Sequence, residues 1–139
     1  MDQYIDFKIK NFTKHNKKIA CFSSKVKKIP SDENLFHQVM EKYRTVLEEN
    51  PGIITFIDAR LVEEVPLTLI WSKVSKYAEG IDKVARKNLY CSVVYISNKT
   101  TKTFVNSVLQ VYKPVAPTKL CNTNEEGMKF VMNVIEKKK

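Results

Sequence analysis

Three glycines in 139 residues are too few for several kinds of site. A P-loop or a dinucleotide fingerprint needs glycines at fixed spacing so that backbone can approach phosphate, and neither can be assembled here. Cysteine is as sparse: Cys21, Cys91 and Cys121 are far apart, odd in number and set in apolar stretches. With no Cys-x-x-Cys pair, zinc-ribbon and thioredoxin chemistry drop out, and buried free thiols are the expected state. The two histidines are His15, in a polar turn, and His37, on an amphipathic helix. Neither lies where a Ser/His/Asp relay would need it. Glu41 is the one companion of His37 with metal-ligand character, and a surface His37/Glu41 pair is expected. No run approaches the roughly 18 apolar residues of a membrane span, and Met1-Asp2-Gln3-Tyr4 has no apolar signal region. A cytoplasmic protein without cofactor, metal or enzymatic activity is expected.

What is present is an ordinary globular composition, 43% hydrophobic and 28% charged, enough for one domain over residues 1–139 with a real core. The net charge of +9 is unevenly placed. Residues 1–30 carry eight Lys against two Asp, residues 31–64 three basic against eight acidic side chains, and residues 65–139 thirteen basic against five acidic. A balance of this kind is compatible with nucleic acid or an acidic membrane. Only three of the basic residues are Arg, however, and specific phosphate grips favour the planar fork of Arg. Solvated lysine faces are the simpler reading.

Tyr4 to Phe12 alternates, Ile5, Phe7 and Ile9 on one face and Asp6, Lys8 and Lys10 on the other, the period of a half-buried strand. A polar turn, Thr13 to Asn16, leads into a second strand from Lys17 to Val26. The lysines of this hairpin also guard a sheet edge against unwanted pairing. Ser31 is a candidate cap for a helix whose apolar positions recur from Leu35 to Leu47, and Asn50-Pro51-Gly52 stops it. Ile53-Ile54-Thr55-Phe56-Ile57 then forms a short buried strand ending in Asp58. An acidic connection with Glu63 and Glu64 follows, and Pro66 opens a helical pattern that Gly80 either bends or divides. Leu89 to Ile96 is the second strongly apolar strand. Ser97 to Thr103 is polar and precedes a helix carrying Phe104, Val105, Val108, Leu109 and Tyr112. Thr118 to Cys121 is a short strand, and Thr123 with Glu126 reads as a capping box for the last helix.

The order is β-β-α-β-α-β-α-β-α. Alternating strands and helices require parallel strands joined by helical crossovers, and the two most apolar strands, 53–58 and 89–97, belong at the centre. In such sheets ligands and partners bind at the C-terminal edge of the strands, which is where Asp58 sits. The carboxylates Asp58, Glu63 and Glu64 could share a metal or proton there. The simpler reading has Asp58 accepting hydrogen bonds from the loop that follows it. Cys91 and Cys121 fall inside strands as packing residues. Nucleic-acid stacking would need exposed aromatics, whereas Tyr90, Tyr95 and the aromatics of the first strand are expected to face inward.

In layout the chain resembles the STAS family, the anti-sigma-factor-antagonist-like domains, over most of its length. The corresponding parts are Ile53–Asp58, the 59–66 loop, Leu89–Ser97 with Thr101–Lys113, and Thr118–Cys121 with Glu125–Lys137. Pro117 and Glu125-Glu126-Gly127-Met128-Lys129-Phe130 also look like the family's end. The resemblance implies a single α/β domain, with a sheet of about five strands and about four helices, that binds a protein partner. It places that partner on the loop and helix start after Asp58, touching Asp58, Arg60, Glu63, Glu64 and Thr68, with Ser97, Asn98 and Thr100 alongside. Phosphorylated members carry Asp-Ser-Ser-Gly where this chain has Glu64-Val65-Pro66-Leu67. Thr68 or Ser72 could replace that serine only from within the helix, where the advantage of a helix N-terminus fades. The CRAL-TRIO lipid-carrier fold is similar in its alternation, but its Leu-Pro…Gly-Gly element is absent. It makes a small apolar-ligand carrier the second reading, with Trp71 and Tyr77 as candidate liners. A basic nucleic-acid-binding protein is the third.

Overall fold

A computed structural model describes residues 4–14, 16–28, 32–61, 67–97, 99, 100, 102, 103, 106 and 115–137. Its strands are β1 (Ile5–Lys14), β2 (Lys17–Val26), β3 (Ile53–Asp58), β4 (Leu89–Tyr95) and β5 (Thr118–Cys121). Three helices have defined bounds: α1 (Glu33–Glu49), α2 (Leu67–Asn88) and α3 (Asn124–Lys137). A further helix between β4 and β5 includes residues 99, 100, 102, 103 and 106. The strands form one five-stranded sheet in the order β1-β2-β3-β4-β5, so β3 is central and β4 lies inside it, as their apolar character requires. The β1–β2 hairpin is antiparallel, and the pairs β2–β3, β3–β4 and β4–β5 are parallel.

Helices cover both faces. Strand alternation sends Ile53 to one side, against Phe22, Val46, Leu47 and Ala85, and its neighbour Ile54 to the other, against Val93, Val131 and Ile135. α1 and α2 thus cover one face and α3 the other. Burial on both sides explains why β3 reads as a continuous apolar run.

Several local expectations are corrected. β1 continues to Lys14, which pairs with Lys17, so the turn shrinks to two positions, with Asn16 at φ 63°. Asn tolerates that left-handed conformation better than most residues. Ile9 shares a face with Ile5 and Phe7 yet is 47% exposed, while Phe12 reaches the opposite core beside Ile19. The reason is position: β1 is an edge strand, and the helices on each face cover only part of it. Asp32 rather than Ser31 caps α1, accepting from the backbone of Asn34 (2.8 Å) and Leu35 (3.1 Å); Ser31 lies outside the described residues. Of the two readings of Gly80, division of the helix fails, since α2 runs unbroken from Leu67 to Asn88. β4 ends at Tyr95, short of Ser97.

The handover from α1 to β3 follows the sequence signal. Gly52 sits at φ +76°, where an L side chain is strained, and its N–H donates to the Asn88 carbonyl (3.0 Å). Asn88 in turn donates through Nδ2 to the Leu47 carbonyl (2.7 Å), tying the end of α2 to the end of α1. No helix among the described residues is long and apolar enough to cross a membrane.

Candidate functional site

β2, β3 and β4 run parallel and end side by side. Lys25, Asp58 and Tyr95 therefore stand in one row, Lys25 in register with Asp58 and Asp58 with Tyr95. Alternation turns all three toward the α3 face. α3 packs mainly on β4 and β5 and leaves the β1–β2 half of that face open. The open half is a groove of about 750 Å³. Phe12, Phe56 and Tyr95 line it between Lys8, Lys10 and Lys25, and Met128 of α3, 45% exposed, lines it from the other side.

At one end the groove meets a built cluster. Asp58 takes both arms of the Arg60 fork, Nε to Oδ1 at 2.9 Å and Nη2 to Oδ2 at 2.8 Å, and also accepts the Arg60 backbone N–H at 3.1 Å. The bidentate geometry fixes the guanidinium plane. That plane lies over the Tyr95 ring, 4.9 Å from its centroid, and the Tyr95 ring stacks on Phe56 at 6.4 Å. Arg60 Nη2 also reaches Asn124 Oδ1 at the start of α3 (3.4 Å). The Ser97 hydroxyl donates to the Arg60 carbonyl (3.3 Å), and the Ala59 N–H to the Tyr95 carbonyl (2.9 Å). The start of the loop after β3 is thus pinned to β4 and lies against α3.

The Arg60 hydrogen bonds hold the Asp58 carboxyl below its ordinary range, outweighing the opposing effect of burial. Asp58 in turn raises the Arg60 guanidinium further, and burial pushes the Tyr95 phenol up. A carboxyl depressed in the folded state contributes stability above its unfolded value of about 3.9, and that contribution is lost as pH falls through the lower folded value. Thermal melts of Asp58→Asn and the parent should therefore differ by a constant amount above about pH 5, with the gap narrowing below about pH 4. A gap independent of pH would mean that the ion pair contributes nothing to folding.

The structure brings Asp58, Arg60 and Ser97 together. Glu63, Glu64 and Asn98 lie outside the described residues, as does the side chain of Thr68, whose backbone is in the first turn of α2. Thr100 is exposed on the helix that follows β4. Ser72, also exposed, lies in the second turn of α2. The groove residues Lys8, Lys10, Lys25, Phe56, Tyr95, Asn124 and Met128 were not singled out from sequence. The signal for Lys8 and Lys10 is the polar face of β1, which reads as edge protection until the position of α3 is known; Lys25, Phe56, Tyr95, Asn124 and Met128 come from four other elements and carry no local signal.

His37 Nδ1 lies 3.1 Å from the Tyr77 hydroxyl, and Glu41 binds Arg44 at 2.8 Å, so the His37/Glu41 pair does not form. The reason is the crossing of α1 with α2, which brings Tyr77 to His37. Thr123 caps α3 by accepting the Glu126 N–H (3.3 Å). The three thiols are free, Cys91 and Cys121 buried. Burial pushes the Cys121 thiol up, away from a reactive thiolate. Among the described residues no three His, Cys, Asp or Glu side chains are grouped to hold a metal.

No family model matches the chain, and no curated protein matches it in sequence. A solved structure does match in fold: an uncharacterized protein from the DUF3478 family with a SpoIIAA-like fold, from Shewanella loihica PV-4. The TM-score is 0.54 at 11% identity, over 91% of this chain and 93% of that one. At that identity the likeness shows fold alone. The fold is SpoIIAA-like, the anti-sigma-factor-antagonist-like arrangement that the STAS resemblance implied.

Proposed function

We propose that this SpoIIAA-like chain is a non-enzymatic interaction domain that captures an acidic segment of a protein partner in the groove. The partner runs from the lysines of β1 and β2 to the Asp58–Arg60 cluster. Glu63, Glu64, Thr68, Ser97, Asn98 and Thr100 would flank it. The observation that carries this reading is the open groove beside α3, with aromatic side chains set among lysines and a preorganised arginine at its end.

Charge selects the class of partner. Lys8 and Lys10 form no ion pair among the described residues, and Lys25 acts on Asp58 only as a nearby positive charge. The groove's two carboxylates are already matched, Asp6 by Lys27 (3.2 Å) and Asp58 by Arg60 (2.8 Å). An acidic peptide with apolar side chains suits lysines around an aromatic floor. Nucleic acid suits it less, because two carboxylates line the groove and its aromatic rings are partly or wholly buried.

A panel of labelled acidic-apolar peptides, read by fluorescence anisotropy, tests this. The Lys8→Glu/Lys10→Glu/Lys25→Glu variant should lose at least about tenfold in affinity, roughly 1.4 kcal/mol, with an unchanged circular dichroism spectrum. Equal binding by parent and variant would sink the proposal. So would a single-stranded oligonucleotide binding more tightly than any peptide at the same ionic strength, with affinity falling steeply with salt.

A further inference from the structure

We infer that the protein also binds a small, neutral, mostly apolar molecule with one polar end, in a cavity between the sheet and helices α1 and α2. This site lies on the opposite face of the sheet from the groove and does not depend on it. The cavity measures about 370 Å³, within the range of about 300–1,000 Å³ usual for ligand pockets. Phe36, Val39 and Met40 of α1 and Ile81 and Ala85 of α2 line it opposite the strands.

The sheet contributes one hydroxyl without a partner. In β2, Phe22, Ser24 and Val26 share the α1/α2 face, so the Ser24 side chain is on the cavity side while Ser23 and Lys25 point to the groove. Ser24 is only 6% exposed, and its Oγ has no hydrogen-bond partner among the described residues. The nearby hydroxyls are satisfied: Tyr43 donates to Thr55 Oγ1 (3.2 Å), Thr55 and Ser92 share a hydrogen bond at 2.7 Å, and Thr118 donates to the Ala116 carbonyl (3.2 Å). A buried hydroxyl left alone is costly, and an orphan in the wall of an apolar cavity is where a ligand hydroxyl or carbonyl would be held.

The ligand is neutral for a separate reason. Among the described lining residues there is no Lys, Arg or His, and Asp82 is present. A carboxylate taken in here would lose its hydration without gaining a cation. Medium-chain alcohols, ketones or esters fit these conditions, and free fatty acids do not. Tyr77, expected from the sequence to line such a site, instead packs on Phe36 and His37, and the side chain of Trp71 lies outside the described residues.

The probes are 1-octanol and octanoate, titrated separately into the full chain at pH 7 and followed by amide chemical shifts. Saturable shifts at Ser24, Val39, Ala85 and Ala116 are expected with 1-octanol, and at least about tenfold weaker binding with octanoate. Ala85→Phe, which fills the cavity, should abolish the octanol shifts. Ser24→Ala should raise the Tm of the ligand-free protein and weaken octanol binding about fivefold, which keeps the inference testable if Ala85→Phe does not fold. The inference is overturned by absence of saturation up to the solubility limit of octanol, or by shifts confined to groove residues such as Met128. Equal binding of octanoate, or octanol affinity unaffected by Ser24→Ala, would overturn it too. The peptide experiment reads the other face, so either site can fail without the other.

Discussion

Replacing Gly127 with Val should destabilise the protein by about 3 kcal/mol, a fall in Tm on the order of 10 °C, although valine is the better helix former. Gly127 is in the first turns of α3, directly above Tyr95. A Cβ built there would meet the Tyr95 phenol oxygen and stand 2.9 Å from Cζ, closer than real Cβ atoms come, and 3.0 Å from Cε1, a tight contact. The ring has little room to retreat, because Phe56 stacks against it and the Arg60 guanidinium lies over it. Relief must come from moving α3 or breaking the Arg60 arrangement, so the substitution should also weaken peptide capture. Thermal melts and a double-mutant cycle check this. Gly127→Ala should cost less in a Tyr95→Phe background, which lacks the phenol oxygen, than in the parent. Equal cost in both backgrounds would show that the hydroxyl is not what excludes a side chain at 127.

Phe22→Ala should cost about 3–5 kcal/mol, a large part of the roughly 5–15 kcal/mol by which proteins are stable. Phe22 is fully buried, stacks on Phe7 at 5.4 Å and meets Tyr43 edge-on at 6.0 Å. Strands hold it from beneath and α1 from above, so the space left by the ring cannot collapse. Phe12, half-buried on the edge strand and lining the open groove, should cost clearly less when cut to Ala, because solvent can fill the gap. Urea denaturation separates the two. Equal losses would show that the groove face anchors the hairpin as strongly as the α1/α2 face.

These two positions differ in how visible they are in sequence. Phe22 stands in an apolar stretch of a strand with its neighbours in alternation, and its burial follows from that pattern. Gly127 reads as a mild defect in a helix, and nothing local announces the aromatic ring it must admit. The same divide runs through the site. Asp58 was legible as the last residue of a buried strand, and its acceptance of hydrogen bonds from the next loop followed from that place. The Arg60 fork, its plane over Tyr95 and the nearby Lys25 were not. The fork closes between residues two apart, but its plane over Tyr95 and the nearness of Lys25 depend on strands distant in sequence ending at one level.

By itself the sequence determined the order of elements, the two apolar strands that lie inside the sheet, the stop at Gly52 and the cap at Thr123. Each of these is a short-range matter of periodicity or backbone conformation, decided within a few residues. Tertiary structure alone decided which face of the hairpin stays open and which hydroxyl is left without a partner. It also turned lysines that looked like edge protection into the rim of a groove. Those outcomes depend on strand register and on where α3 and α1 settle. Register and helix placement are set by the packing of the whole sheet, which no local pattern records.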